Sequence, residues 1–171
     1  HEEGPGQNEI DFRYSDPVTA ADNAVTFRTV VDTAAARNGL WADFGPKPLA
    51  DRPGNGLHIN FSVTAADGRD VLPAAIAGIL ARISDMTLFL NPKEESYRRF
   101  GSCKAPRYIS WSAENRSQLI RVPAAEGEYR RAELRSPDAL CNPYLAFALL
   151  IRAGMEGIAR EVQLPPAADL N

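Results

Sequence analysis

Arg131-Ala132-Glu133-Leu134-Arg135 alternates charged with apolar side chains, as a β-strand does when it buries one face and leaves the other polar. The same alternation runs through Leu57–Val63 and through Glu9–Tyr14. The polar positions of the three predicted strands are Arg131, Glu133 and Arg135, then His58, Asn60 and Ser62, then Glu9, Asp11 and Arg13. Such faces are often simply hydrated, as on half-exposed antiparallel sheets. Carboxylate, imidazole and guanidinium together favour instead a face that binds a divalent ion and phosphate, with magnesium or manganese preferred over zinc.

Three helices are predicted around these strands. The first begins at Pro17, after the Asp16 cap, and ends at Asn38-Gly39. The second is predicted from Pro73 to Asp85 and the third from Pro143 through Gly157. The third is apolar nearly all round at Tyr144 to Ile151, and we expect it to be buried. The pattern predicts an α+β fold in which a curved antiparallel sheet is backed by helices.

Length and composition indicate one globular domain over residues 1–171, with 44% apolar and 24% charged residues. The longest uninterrupted apolar stretch has eight residues, Tyr144 to Ile151, whereas a membrane span needs about 20, so no membrane insertion is predicted. Two cysteines make neither a disulfide framework nor a metal clip, which favours the cytoplasm. The chain begins at His1 without a Met, and we expect it to be a piece of a longer protein.

The charge distribution favours a small anionic ligand. The formal net charge is −3, which argues against a nucleic-acid partner. Between Arg98 and Arg135, however, eight Arg and one Lys face four Glu, a local charge of +5. Because the planar guanidinium binds carboxylate and phosphate in a bidentate way, this arginine-rich block predicts a site for such groups.

Several segments resemble the catalytic domain of glutamine synthetase, and they occur in that family's order across essentially the whole chain. They are Glu2-Glu3-Gly4-Pro5-Gly6-Gln7-Asn8-Glu9-Ile10, Pro46-Lys47-Pro48, Gly56-Leu57-His58, Asn91-Pro92, Ser96-Tyr97-Arg98-Arg99, Asn115-Arg116-Ser117, Arg131-Ala132-Glu133-Leu134-Arg135-Ser136-Pro137-Asp138 and Asn142-Pro143-Tyr144. The resemblance implies a glutamine synthetase/guanidino kinase-like catalytic domain. It also implies ATP-dependent formation of glutamine from glutamate and ammonia through γ-glutamyl phosphate. Two Mg²⁺ or Mn²⁺ ions, and a homo-oligomer with active sites between subunits, are implied as well.

The resemblance assigns site residues position by position. Glu2 and Glu9 match ligands of the metal near glutamate, and His58 and Glu133 match ligands of the metal at the ATP phosphates. Matches to substrate-binding positions are Arg99, Gly54, Arg116 and Arg135, and matches to ATP-binding positions are Asn60, Ser62, Arg121 and Arg131. Arg116 and Arg135 are expected to act in catalysis, since a fixed positive charge stabilises a transferring phosphoryl group.

Two positions depart from the family pattern, and the family's further upstream metal ligands and N-terminal domain are missing. Asn60 stands where a second His is common. Lys104 stands at the catalytic flap position that is usually Glu, which reverses a charge expected to attract ammonium. Two alternatives therefore stay open, namely a ligase that joins glutamate to another amine and a non-catalytic member of the family. We expect this segment alone to be catalytically silent.

Overall fold

The computed structural model describes residues 2–168, which form an α+β fold. Its helices and strands, in chain order, are α1 (Pro17–Arg37), β1 (Ile59–Phe61), α2 (Leu72–Leu90), α3 (Glu94–Tyr97), β2 (Trp111–Ser112), β3 (Ile120–Arg121), β4 (Ala132–Leu134) and α4 (Pro143–Ala159). A single 3₁₀ turn, Gly127–Tyr129, precedes β4. The predicted combination of a sheet with helices is confirmed.

The four strands form one open sheet in the order β1-β4-β3-β2. β4 pairs antiparallel with β1 and with β3, and Glu133 lies opposite Asn60 on one side and Arg121 on the other. β2 pairs parallel with β3, so the sheet is mixed: the predicted antiparallel pairing is confirmed for β1, β4 and β3 and is wrong for β2. This pair has no sequence signal, because strands of two residues are too short to show alternation.

The segment Glu9–Tyr14 was predicted as a strand, and that prediction is wrong for the described residues. The chain is not helical there and joins no strand of the sheet. Ile10 and Tyr14 are exposed, while Phe12 makes an edge-on contact with Phe27 at 5.6 Å between ring centroids. Alternation sets the two faces of an extended segment, but a strand also needs a neighbouring backbone for its hydrogen bonds. No such neighbour lies within residues 2–168.

The helix predictions hold in position and differ in length. Asp16 caps α1 by accepting hydrogen bonds from the Val18 and Thr19 amides, both at 3.1 Å. α2 begins one residue before the predicted start and continues five residues past Asp85. α4 begins at Pro143 as predicted and extends to Ala159.

α4 is less buried than its composition predicts. Tyr144, Leu145 and Ile151 are between 44% and 49% exposed. The buried face of the helix is formed mainly by small residues and one leucine, namely Ala146, Leu150, Ala153, Gly154 and Gly157. An unbroken apolar run hides which face packs, because it carries no periodicity.

The core lies between the sheet and the α2–α4 pair. At the helix contact, a Cβ on Gly78 would lie 2.3 Å from the Ala153 carbonyl oxygen and 2.7 Å from the Gly157 Cα, so only glycine allows this approach. Within residues 2–168, α2 is the one helix whose length and composition would suffice to cross a membrane. In this structure it packs against α4 and the sheet as the core helix.

Candidate functional site

Glu133 is the centre of the polar face of the sheet. It is only 7% exposed, and its two carboxylate oxygens accept hydrogen bonds from Arg135 Nη1 at 2.8 Å and from Arg121 Nη1 at 3.2 Å. His58, two positions before Asn60 on the neighbouring chain segment, brings its Nδ1 to 3.3 Å from Glu133 Oε1. Strand register explains the grouping, because alternate residues of β1 and β4 share one face.

The electrostatics of this group keep Glu133 charged and His58 neutral. Burial raises the pKa of Glu133, but the charge of Arg135 and hydrogen bonds from Arg135 and Arg121 lower it below the ordinary glutamate value. The pKa of His58 falls to about 4, chiefly by burial and then by repulsion from Arg135, while Glu133 opposes the shift. The imidazole side chain is 32% exposed, so its desolvation is incomplete, but the repulsion from Arg135 acts in the same direction. With Nδ1 facing the carboxylate, Nε2 keeps the lone pair that a metal ion would use.

Glu2 and Glu9 form a second acidic pair. Their side chains share a hydrogen bond, which lowers the pKa of Glu2 and raises that of Glu9 to about 7, with burial and the Glu2 charge adding to the second effect. The negative charge of Glu2 acts to raise the pKa of His58, and the negative charge of Glu133 acts to raise the pKa of Glu9. We therefore treat Glu2, Glu9, His58 and Glu133 as one group, the acidic cluster.

The acidic cluster offers a partial ligand set for a divalent ion. Carboxylate oxygens with one neutral imidazole suit Mg²⁺ or Mn²⁺ better than softer metals. Within residues 2–168, no group of three or more His, Cys, Asp or Glu side chains is placed to hold an ion. Each predicted metal position is therefore a pair, Glu2 with Glu9 and His58 with Glu133, and further ligands would have to come from elsewhere.

Arg99 lies inside the protein rather than on the polar face. It is 3% exposed, and its terminal nitrogens donate to the carbonyls of Arg135, Ser136 and Pro137 at 3.0 to 3.1 Å and to Asn91 Oδ1 at 3.3 Å. Burial lowers its pKa to about 10. The guanidinium thus fixes the backbone that follows β4. Its predicted contact with a substrate carboxylate would require it to exchange these partners.

Gly54 packs directly against Arg99. A Cβ at this position would lie 2.2 Å from the Pro46 carbonyl oxygen and 2.9 Å from Arg99 Cδ, so a side chain is excluded. Its own carbonyl accepts a hydrogen bond from Gln7 Nε2 at 3.1 Å. Gly54 therefore joins the Arg99 region to the turn that carries Glu2.

The remaining predicted residues surround this centre at different depths. Arg135 Nε donates to the Arg116 carbonyl at 2.7 Å, whereas the Arg116 side chain is exposed. Arg131 is exposed and donates to Asn60 Oδ1 at 3.3 Å. Ser62 is also exposed, just beyond β1. The side chains of Arg116, Arg131 and Ser62 are thus outside the network around Glu133, to which Arg116 contributes only its backbone carbonyl.

Lys104 bonds to Glu3, and this partner was missed by the sequence analysis. The two side chains are each 49% exposed, and the Lys104 ammonium donates to Glu3 Oε1. Glu3 stands directly after Glu2 but was not singled out, because no local pattern relates it to a lysine 101 positions away. Only a tertiary contact could have revealed the pair.

Comparison with known proteins gives the family. The family model described as "Glutamine synthetase, catalytic domain" matches residues 1–171. A glutamine synthetase from Methanosarcina mazei is 45% identical over 100% of this chain and 41% of its own length. Those from Clostridium saccharobutylicum and Thermus thermophilus are each 44% identical over 100% of this chain, covering 42% and 41% of their lengths. The chain spans about two fifths of the relatives that it matches, and it belongs to the glutamine synthetase family.

Proposed function

We propose that the protein carrying this chain ligates ammonia to the γ-carboxylate of glutamate at the expense of ATP. The observation that carries the proposal is the arrangement of Glu133 between Arg121, Arg135 and His58 on one sheet face. A buried carboxylate held by two arginines beside a neutral imidazole suits an ion that carries phosphate, and the arginines suit the phosphate itself. The relatives named glutamine synthetase support this reaction over ligation to another amine or a non-catalytic role.

The reaction would proceed in two balanced steps. The γ-carboxylate oxygen attacks the terminal phosphorus of ATP, ADP leaves, and γ-glutamyl phosphate forms. Ammonia then attacks the acyl carbon, phosphate leaves, and one proton is released as glutamine forms. Arg121 and Arg135 would stabilise the charge on the transferring phosphoryl oxygens, and Glu133 would keep both guanidinium groups oriented.

The cofactors and partners follow from the same proposal. We infer Mg²⁺ or Mn²⁺ at the pairs Glu2–Glu9 and His58–Glu133, where a bound ion would neutralise phosphate charge. Asn60, Ser62, Arg121 and Arg131 are proposed to face ATP, with Arg99, Gly54, Arg116 and Arg135 toward glutamate. We also propose a guanidino kinase-like arrangement of the whole catalytic domain, a cytoplasmic location, and a homo-oligomeric parent with active sites between subunits.

The test is a γ-glutamyl hydroxamate assay on the full-length parent, with thermal stabilisation by ATP and Mn²⁺ measured in parallel. Because hydroxylamine replaces ammonia, the hydroxamate reports activation of glutamate whatever amine is used naturally. We expect product that depends on glutamate, ATP and the divalent ion, and a rise in melting temperature with ATP and Mn²⁺.

A matched pair of variants sharpens this test. Arg121→Gln should abolish hydroxamate formation, whereas Arg130→Gln should not, since Arg130 pairs with Asp70 away from Glu133. A parent that binds ATP with Mn²⁺ but forms no hydroxamate would overturn the enzyme assignment. A parent that neither binds nor reacts would identify a non-catalytic member of the family.

A further inference from the structure

The loop 100–106 is a compact, internally bonded segment. The Gly101 amide donates to the Ala105 carbonyl at 3.2 Å, and the Ala105 amide donates to the Ser102 carbonyl at 3.0 Å. Gly101 and Cys103 have positive φ values of 72° and 54°. For Cys103 this left-handed conformation is uncommon and must be held by its surroundings. The loop therefore depends on its external anchors.

Anchors hold the loop at two ends. At its base, Arg99 is buried in a set of backbone carbonyls, and Lys47 Nζ donates to Ser102 Oγ at 3.1 Å. At its tip, the Lys104 ammonium bonds to Glu3. The base combines the buried Arg99 contacts with the part-buried Lys47–Ser102 bond, whereas the tip rests on one ion pair between half-exposed side chains.

The segment that carries Glu3 is itself well fixed. The Glu2 amide donates to the Gln7 carbonyl at 3.1 Å, and the Gln7 amide donates to the Gly4 carbonyl at 3.0 Å. Gln7 Nε2 also donates to Asn55 Oδ1 at 2.9 Å. We call residues 2–7 the N-terminal turn. Because this turn is rigid, Glu3 offers Lys104 a fixed acceptor.

Each anchor lies near one member of the acidic cluster. A Cβ on Gly56 would lie 3.2 Å from His58 Nε2 and 3.5 Å from Arg99 Nη2, so the loop base adjoins the His58 side. At the tip, Glu3 is the neighbour of Glu2. The pKa of Glu2 is lowered chiefly by its hydrogen bond with Glu9, and the positive charge of Lys104 contributes to the same shift. The loop thus has His58 near its base and Glu2 near its tip.

We propose that Glu3 is a positioning residue that holds Lys104 beside Glu2, so that the Glu3–Lys104 ion pair latches the tip of the loop 100–106 to the N-terminal turn next to the acidic cluster. The pair also keeps the local charge balanced, since Lys104 offsets one carboxylate of the Glu2-Glu3 dipeptide. Positions 3 and 104 therefore act as one unit. This latch does not rest on the proposed reaction, and it would operate for any ligand of the cluster.

One consequence concerns reversal of the charge at Lys104. Lys104→Glu alone would place a carboxylate beside Glu3 and Glu2, so like charges would push the loop tip away. Lys104→Glu would help to bind an incoming amine only if Glu3 were replaced as well. The exchange Glu3→Lys with Lys104→Glu preserves both the pair and the net charge.

Hydrogen–deuterium exchange on the full-length protein measures the latch directly. Lys104→Gln and Glu3→Gln should each raise exchange in the loop 100–106, by about two- to fivefold for an exposed ion pair. The double exchange of Glu3 and Lys104 should restore protection. Arg130→Gln is the matched control, because the Arg130–Asp70 pair has side-chain exposures of 42% and 49%. Amides of α2 serve as the internal reference for global unfolding.

Mn²⁺ affinity, measured by calorimetry on the same variants, tests whether the charges of Lys104 and Glu3 also act on an ion bound at the acidic cluster. If the pair only held the loop in place, the two single variants would change the affinity in the same way. A unit charge ~8 Å from a divalent ion changes its affinity about fivefold in a water-like medium. Lys104→Gln should tighten Mn²⁺ binding and Glu3→Gln should weaken it, although both loosen the loop. The double exchange should leave the affinity near its original value.

These outcomes decide the proposal without reference to activity. Unchanged exchange in both single variants, or the same change in Arg130→Gln, would overturn the latch. Failure of the double exchange to restore protection would overturn the pairing of positions 3 and 104. Mn²⁺ affinities that shift in the same direction in both single variants would overturn the placement of Lys104 beside Glu2. A protein that fails the hydroxamate assay but passes these tests would still carry the latch.

Discussion

Replacing Glu133 with glutamine tests the centre of the site, because glutamine keeps the shape of the side chain and removes its charge. The Arg135 side chain is 6% exposed and the Arg121 side chain 26% exposed, and both donate to Glu133. Glu133→Gln leaves these two guanidinium groups side by side without a countercharge. Breaking a buried ion pair costs about 3–5 kcal/mol of stability. Because water has partial access to Arg121, we expect Glu133→Gln to lower the free energy of unfolding by roughly 2–4 kcal/mol.

The assay is urea unfolding of the full-length protein as a function of pH. Since the folded pKa of Glu133 lies below the ordinary glutamate value of 4.5, its stabilising effect is complete above that value. It is lost as the pH falls through the folded pKa. The difference in free energy of unfolding between the original protein and Glu133→Gln should therefore be constant near neutral pH and become smaller in acid.

The matched control is Glu156→Gln. Glu156 also pairs with two arginines, Arg82 at 2.6 Å and Arg160 at 2.9 Å, but the side chains of these arginines are 45% and 69% exposed. Glu156→Gln should lower the free energy of unfolding much less than Glu133→Gln does, because water can solvate the exposed arginines that lose their partner. Equal costs for the two variants, or a Glu133 effect that persists undiminished in acid, would refute the argument from burial.

Three further predictions concern packing, thiol reactivity and cation binding. Gly78→Ala should destabilise the protein by roughly 1–3 kcal/mol in urea unfolding, whereas Gly154→Ala, whose Cβ would meet its nearest atom at 3.6 Å, should be tolerated. A maleimide should label Cys103 and leave Cys141 unlabelled in the folded protein, since Cys141 is fully buried and its thiol pKa is raised to about 12; labelling of both without denaturant would contradict this. Because the pKa of Glu9 is raised to about 7, Mn²⁺ binding should weaken as the pH falls from 8 to 6, and a pH-independent calorimetric affinity would contradict a Glu9 ligand.

The sequence predicted the parts of the fold that have strong local signals. α1 carries a side-chain cap and a proline at its start, and its bounds agree with the prediction. The alternation in Leu57–Val63 and in Arg131–Arg135 located β1 and β4, although each observed strand has only three residues. Glu9–Tyr14 shows the limit of the same rule, because alternation cannot reveal whether a neighbouring strand exists.

The site was predictable where two strands share a register. Alternation placed His58 and Glu133 on polar faces, and the β1–β4 pairing brings these faces together. Arg121 could be assigned only through the family resemblance, since the two-residue strand β3 has no pattern of its own. The Glu3–Lys104 contact has no local signal at all, because it joins two loops through a tertiary contact.

Arg99 shows how the inside of the protein controls the polar face. The backbone carbonyls of residues 135–137 accept hydrogen bonds from Arg99, while the Arg135 side chain donates to Glu133 on the sheet face. Removing Arg99 would take this donor from the Arg135 and Ser136 carbonyls, leave the Pro137 carbonyl with only the Leu57 amide, and free the backbone that aims Arg135. Loss of activity on substitution of Arg99 would therefore be expected even without any contact to substrate. A direct role for Arg99 requires a weaker affinity for the proposed substrate, glutamate, in a variant whose Glu133–Arg135 contact is intact.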